Sequence, residues 1–218
     1  FMLSELEERY KNISMCLHYK LEDLRGFSWF NYHQPERGRF NVELKYTGLI
    51  ELSAANGFDE YLKSIRKSRR YEYMKAKKQN YRIEILKDVS VLEELYCLTF
   101  KRQNIEVKQD QVMQLKCIAQ TALDNKFGEL LICRNSIDDA VGATLFLYDK
   151  NCCYYLVGAN HPDYRQSGTG TYILLENIRR YIELGYKFLD VCGMNSPNRG
   201  DFKASLNAKP IPYHIVTW

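Results

Sequence analysis

Pro162-Asp163-Tyr164-Arg165-Gln166-Ser167-Gly168-Thr169-Gly170-Thr171 sits between an apolar, strand-like run and a helical segment that opens Tyr172-Ile173-Leu174-Leu175-Glu176. Two glycines let the backbone turn tightly with its N–H groups aimed inward. The helix start adds partial positive charge, so the loop suits a pyrophosphate. Arg165 would supply a charge-assisted contact. The candidate phosphate-binding residues are therefore Arg165, Gln166, Ser167, Gly168, Thr169, Gly170 and Thr171. Taken alone, R-x-x-G-x-G also fits a helix start eased by glycine, so the neighbouring sequence has to decide.

Upstream, Glu129 to Cys133, Ala140 to Tyr148 and Cys152 to Gly158 are apolar, β-branched or aromatic. The turn clusters Asn135-Ser136 and Asp149-Lys150-Asn151 join them into an antiparallel meander. Downstream, a helix from about Thr169 to Leu184 is stopped by Gly185, and Phe188 to Cys192 reads as a buried strand. Strand, loop, helix and parallel strand make a right-handed crossover. A loop rich in Asn, Ser, Pro and Gly follows, then a helical turn near Phe202 to Leu206 and a last strand, Ile211 to Thr217.

Further back, Leu3 to Tyr10 reads as the end of a helix. Ser14 to Leu21 and Phe40 to Ile50 read as strands around an aromatic loop holding Phe27, Trp29, Phe30 and Tyr32. Asp59 to Gln79 is helical in composition. Ser90 and Glu93 predict a capping box, and Asp110 a cap for a second packing helix. Because the chain opens at Phe1 inside a helical pattern, it reads as a piece whose natural N-terminus is missing.

The 218 residues can bury a sizeable core, at 45% hydrophobic and 27% charged. No run reaches the roughly 18 apolar residues of a spanning helix, and no signal peptide is evident. Seven cysteines without a CxxC pair predict buried thiols in a reducing compartment, with neither disulfide nor metal site. The cytoplasm is the expected location, its membrane-facing side included. Net charge is +4, yet Tyr61 to Arg82 carries nine Lys or Arg against the single Glu72. That stretch is +8 and the remainder about −4, a placed cationic face. It reads as a solvated face, a site for a phosphate-bearing acceptor, or a contact for tRNA.

In this context Pro162-x-Tyr164-Arg165-x-x-Gly168-x-Gly170 resembles motif A of the GNAT acyltransferases, which binds the pyrophosphate of coenzyme A. The pattern is similar to the FemAB-like branch, whose members attach acyl or aminoacyl groups to amines of cell-envelope precursors. Arg25-Gly26-Phe27-Ser28-Trp29, Tyr46 to Leu52, Tyr61-Leu62 with Arg69-Arg70, and Asp201 to Leu206 carry further echoes. The resemblance implies an α/β protein with a mixed, mostly antiparallel sheet flanked by helices. FemAB-like proteins contain two GNAT units, so residues 1–56 are expected to be the tail of a degenerate first unit and 57–218 the GNAT domain. A dinucleotide fold is the competing reading, since Asp190 lies 20 residues beyond Gly170, but the preceding hairpins argue against a parallel sheet.

Acyl transfer to an amine needs a neutral nucleophile, a polarised carbonyl and a proton sink. His18, His33, His161 and His214 carry no catalytic signature. The resemblance points to Lys203, in the pair Phe202-Lys203, as the group that stabilises charge on the donor carbonyl; the alternative is an exposed lysine on a helical turn. Asp190, ending a buried strand, is placed to accept a proton or orient the acceptor amine, or else to hold the loop Gly193 to Ser196. Water or Tyr155 offers another proton route. Trp29, Arg69 and Arg70 are the candidate acceptor contacts.

The expected activity is N-acyltransfer from acyl-coenzyme A, such as acetyl-coenzyme A, to a phosphate-bearing amine substrate, a sugar, peptide or lipid precursor. An aminoacyl-tRNA-dependent transferase is the first rival; it commonly carries a long coiled-coil hairpin, and no heptad run of that length occurs here. A catalytically silent binding module is the second rival, against which the intact Arg165, Gly168 and Gly170 speak. Nothing in the sequence speaks to oligomeric state.

Overall fold

A computed structural model describes residues 2–218 of the chain; Phe1 lies outside the described residues. In chain order the elements are α1 (Met2–Arg9), β1 (Ser14–Cys16), α2 (Arg25–Ser28), β2 (Asn41–Glu51), α3 (Phe58–Ser64), α4 (Lys67–Lys77), β3 (Arg82–Leu86), α5 (Ser90–Lys101) and α6 (Gln109–Asp124). Then come β4 (Gly128–Arg134), β5 (Ala140–Tyr148), β6 (Cys152–Asn160), α7 (Thr169–Glu183), β7 (Phe188–Gly193), α8 (Pro197–Ala204) and β8 (Lys209–Thr217). The backbone forms two compact units. One comprises the chain up to Gly48 with Gly193–Ala204 and Lys209–Trp218; the other comprises Leu49–Cys192 with Ser205–Ala208.

In the first unit β1 pairs antiparallel with β8, Ser14 opposite Thr217 and Cys16 opposite Ile215. Its core gathers Ile13, Phe27, Phe40 and Val216. The rings of Phe40 and Trp218 lie 4.9 Å apart, and those of Phe27 and Phe40 5.5 Å. The expected strand Ser14 to Leu21 stops at Cys16 because His18 starts a turn: its carbonyl accepts from the N–H of Leu21 and its Nδ1 from that of Lys20.

In the second unit the strands run in the order β7-β6-β5-β4-β3. β3 to β6 are antiparallel to their neighbours, and only β6 and β7 are parallel, with α7 between them in sequence. This is the predicted meander and crossover. Side-chain alternation along the strands divides the core between two faces. Leu130, Ile132, Ala143, Leu145 and Ala159 pack with Leu92, Leu95, Leu115 and Ala119 of α5 and α6. On the other face Cys133 packs with Ile173 of α7, Thr144 accepts from Asn177 at 3.0 Å, and Phe146 meets Tyr181.

Several boundaries differ from the sequence expectation for local reasons. The basic helix is two helices: Ile65 and Arg66 are extended, and the Arg66 N–H donates to the Ser205 carbonyl at 2.9 Å. Ser90 does not cap α5; the Asp88 carboxylate does so, accepting from the Ser90 N–H at 2.9 Å. α6 begins at Gln109 with Lys108 at the cap, which leaves Asp110 within the first turn. The turn expected at Phe202 to Leu206 belongs to α8, Pro197–Ala204. β3 is a strand that the sequence reading left out. Among the described residues no helix is long and apolar enough to cross a membrane.

Candidate active site

The loop singled out in the sequence is a 3-10 turn, Pro162–Ser167, that ends at Gly168, and Gly168 is the N-cap of α7. Gly168 takes the left-handed conformation at φ +85°, which a Cβ would strain. Inside the loop the hydroxyls are committed: Ser167 Oγ and Thr169 Oγ1 both donate to the Tyr164 carbonyl, at 2.5 and 2.8 Å. They brace the turn rather than face a ligand. The first N–H groups of an α-helix have no intrahelical acceptor. Among the described residues nothing else accepts from those of Thr169, Gly170 and Thr171. Arg165 is exposed, and its guanidinium makes no hydrogen bond or ion pair to a described residue. Main-chain N–H groups at a helix start carry partial positive charge and a guanidinium carries a full one, and both are chemically suited to an anion.

α4 supports this loop from the side. Thr171 Oγ1 donates to Glu72 Oε2 at 2.5 Å, and Arg69 Nη1 lies 2.6 Å from the same oxygen. Lys75 Nζ donates to the Gln166 carbonyl at 3.1 Å. Arg69, expected among the acceptor contacts, thus stands at the first turn of α7, while Arg70 reaches back to the Lys63 carbonyl at 3.5 Å. Sequence reasoning missed Glu72 and Lys75 as loop supports. Glu72 being the lone acid in a +8 stretch was the available signal.

β6 carries a bulge: Leu145 opposes Val157, but Phe146 opposes Tyr155, so Leu156 is the extra residue. The bulge shifts the alternation, which puts Tyr155 on the same face as Gly158. A Cβ on Gly158 would lie 1.7 Å from the Tyr155 phenol oxygen, so only glycine leaves room for that ring. Burial, with the Cys192 thiol nearby, pushes the Tyr155 phenol up to about 12. It is protonated at neutral pH, where it can donate a hydrogen bond but cannot take a proton. β6 pairs with β7 only from Cys152 to Tyr154, opposite Phe188 to Asp190, and then runs on to Asn160. Asp190 is buried, 7% exposed, and its Oδ1 accepts from the Cys192 N–H at 2.7 Å. That bond holds Cys192 at φ +61°, a conformation uncommon outside glycine.

Lys203 and Trp29 belong to the first unit. Lys203, on α8, donates from Nζ to the Gly193 carbonyl at 2.8 Å. Trp29 follows α2 and is 61% exposed, with the Arg25 guanidinium 5.4 Å from its ring centroid. Arg25 in turn holds the Asp23 carboxyl down at about 2. Trp29, Tyr32 and His33 line a shallow cleft, whereas Phe27 and Phe30 of the same loop turn into the core.

A braced glycine loop at the start of a crossover helix, on a mixed sheet whose parallel pair separates after three residues, is the architecture of a GNAT acyltransferase. Residues 62–204 match the family model of the acetyltransferase (GNAT) domain, and the chain belongs to that family; it is a GNAT-type N-acyltransferase. Among solved structures it is similar to FemX, with a TM-score of 0.70 at 12% identity over 98% of this chain and 75% of that one. It is also similar to the C-terminal domain of a putative lysylphosphatidylglycerol synthetase from Agrobacterium fabrum (TM-score 0.59, 11% identity, 86% of this chain, 64% of that one). A tandem GNAT protein from the clavulanic acid biosynthesis pathway gives a TM-score of 0.60 at 9% identity, over 100% of this chain and 66% of the other. No curated protein matches the chain.

Proposed function

We propose that this transferase moves an acyl group from acyl-coenzyme A to an amine of a cell-envelope sugar, peptide or lipid precursor in the cytoplasm, with residues 57–218 as the transferase domain and 1–56 as the tail of a preceding unit. The observation that carries the donor assignment is the first turn of α7, where the N–H groups of Thr169, Gly170 and Thr171 have no acceptor among the described residues, at the end of the loop that bears the exposed Arg165. Together they match a pyrophosphate in charge and in hydrogen-bond direction. The six residues of β6 beyond its pairing with β7 offer main-chain groups for the extended arm of such a donor.

In the reaction the acceptor amine attacks the thioester carbonyl, the carbonyl oxygen takes up negative charge, and the C–S bond breaks as the thiolate leaves. Lys203 is the proposed partner of the developing oxyanion. Tyr155, a neutral phenol at neutral pH, gives its proton to the departing thiolate and regains one from solvent. Water takes the proton that the amine sheds. Asp190, engaged with the Cys192 N–H, shapes the end of β7 beside this chemistry rather than serving as the base.

The exposed Lys67, Lys77 and Lys78 of the α4 region favour a phosphate-bearing partner. An aminoacyl-tRNA donor draws on the same cations and is the second reading. Calorimetric titration of coenzyme A and acetyl-coenzyme A into the folded chain, with Gly168→Trp as the blocked-loop control, separates the two. Binding that the control abolishes supports a thioester donor; no binding by the folded wild type sinks that donor and moves the reading to aminoacyl-tRNA.

A further inference from the structure

Asn160 closes β6, and its main chain is fully used: the N–H donates to Thr99 Oγ1 at 3.1 Å, and the carbonyl accepts from the same hydroxyl at 3.2 Å. Its side-chain amide has no partner among the described residues, and Oδ1 is buried. Val157 and Ala159 face α5 and α6, so Asn160 points to the α7 face. Two glycines make room for it there. A Cβ on Gly142 would lie 3.1 Å from Oδ1, and one on Gly170 would lie 3.0 Å from Nδ2 and 3.3 Å from Oδ1. Buried polar atoms are normally hydrogen-bonded, and the orphan Oδ1 requires a reason for an amide to stand here. Packing alone would be met by an apolar side chain of similar size without the desolvation cost. The slot borders the helix turn whose Gly170 and Thr171 N–H groups lack acceptors, and lies where β6 has already parted from β7.

We propose that Asn160 is a donor-contacting specificity residue: its Nδ2–H₂ group donates to an oxygen of the bound acyl donor, beside the N–H groups of Gly170 and Thr171. The inference rests on the donor-loop reading above and adds to it a neutral side-chain amide which, unlike the committed hydroxyls of Ser167, Thr169 and Thr171, has no partner among the described residues. Asn160→Asp keeps the shape, removes the donor and adds a negative charge. Acetyl-coenzyme A is expected to bind this variant at least tenfold more weakly, with a far-UV circular dichroism spectrum like that of the wild type as the folding check. Asn160→Leu, which removes the amide without adding charge, is expected to lose affinity as well. In the wild type, the Asn160 side-chain ¹⁵N–¹H signals, assigned by their loss in the Asp variant, shift when coenzyme A is added. An Asp variant that binds within twofold of wild type, or amide signals unmoved at saturation, overturns the assignment. Failure of the wild type itself to bind either thioester carrier overturns the donor reading, and this inference with it.

Discussion

Gly168 rests on the main chain of Glu72: a Cβ placed on Gly168 would sit 2.7 Å from the Glu72 carbonyl oxygen, with the glycine at φ +85°. Two penalties therefore meet at one position. A left-handed non-glycine residue costs about 1–2 kcal/mol, and forcing a methyl against backbone adds about 1–3 kcal/mol. Gly168→Ala is expected to lower unfolding stability by about 2–5 kcal/mol in urea titration, the range those two terms span. An unchanged midpoint would show that α4 yields freely at this contact.

The Thr171 hydroxyl separates brace from ligand contact. Its 2.5 Å bond to Glu72 ties the first turn of α7 to α4, and a hydrogen bond to a charged group contributes about 1.5–3 kcal/mol. Thr171→Val should cost stability at the lower end of that range, because Glu72 is only partly buried and keeps Arg69 as a partner. Thr171→Ser keeps the hydroxyl and should melt close to wild type. A loss in Thr171→Ser with none in Thr171→Val would assign the effect to the methyl rather than the bond.

Tyr155 and Gly158 should behave as one functional unit. Tyr155→Phe keeps the ring and removes the proton, so turnover is expected to fall about 10²-fold, the low end for a general acid, with the Kd for coenzyme A unchanged. Gly158→Ala places a methyl 1.7 Å from the phenol oxygen and so must displace the ring. The same loss of turnover is expected, and little further loss in the double variant. Steady-state rates beside direct binding measurements check both; additive losses in the double variant would contradict a shared mechanism.

Much of this architecture was legible because its signals are local. Gly168 and Gly170, the meander from Glu129, and the Gly185 stop were read at the right places, since turn and cap chemistry acts within a few residues. The break at Ile65-Arg66 carries no glycine or proline; it depends on the Ser205 carbonyl, about 140 residues away in sequence, and no short-range pattern announces it. β3 does alternate, as Arg-Ile-Glu-Ile-Leu, but five residues following a cationic helix were too short to stand out. Asn160 and the Tyr155 bulge stayed hidden for another reason. Their roles come from register: one extra residue in β6 decides which side chains face α7.

The buried thiols predict the alkaline limit of the fold. Burial pushes Cys133 from 9.0 up to about 12 and Cys152 up to about 11. Between the unfolded and folded values the unfolded chain has lost a proton that the folded chain keeps, so stability falls as pH rises. The contribution is fully present below about pH 9, where both states are protonated. It diminishes above that pH, by at most about 1.4 kcal/mol per pH unit for each thiol. Urea unfolding followed from pH 7 to 10.5 should therefore be flat to about pH 9 and then decline. Cys133→Ala should show a shallower decline after a lower starting stability, because the cavity costs stability at every pH while the titrating group is gone. A parallel decline in wild type and Cys133→Ala would mean that this thiol titrates alike in both states and that the α7 face of β4 admits water.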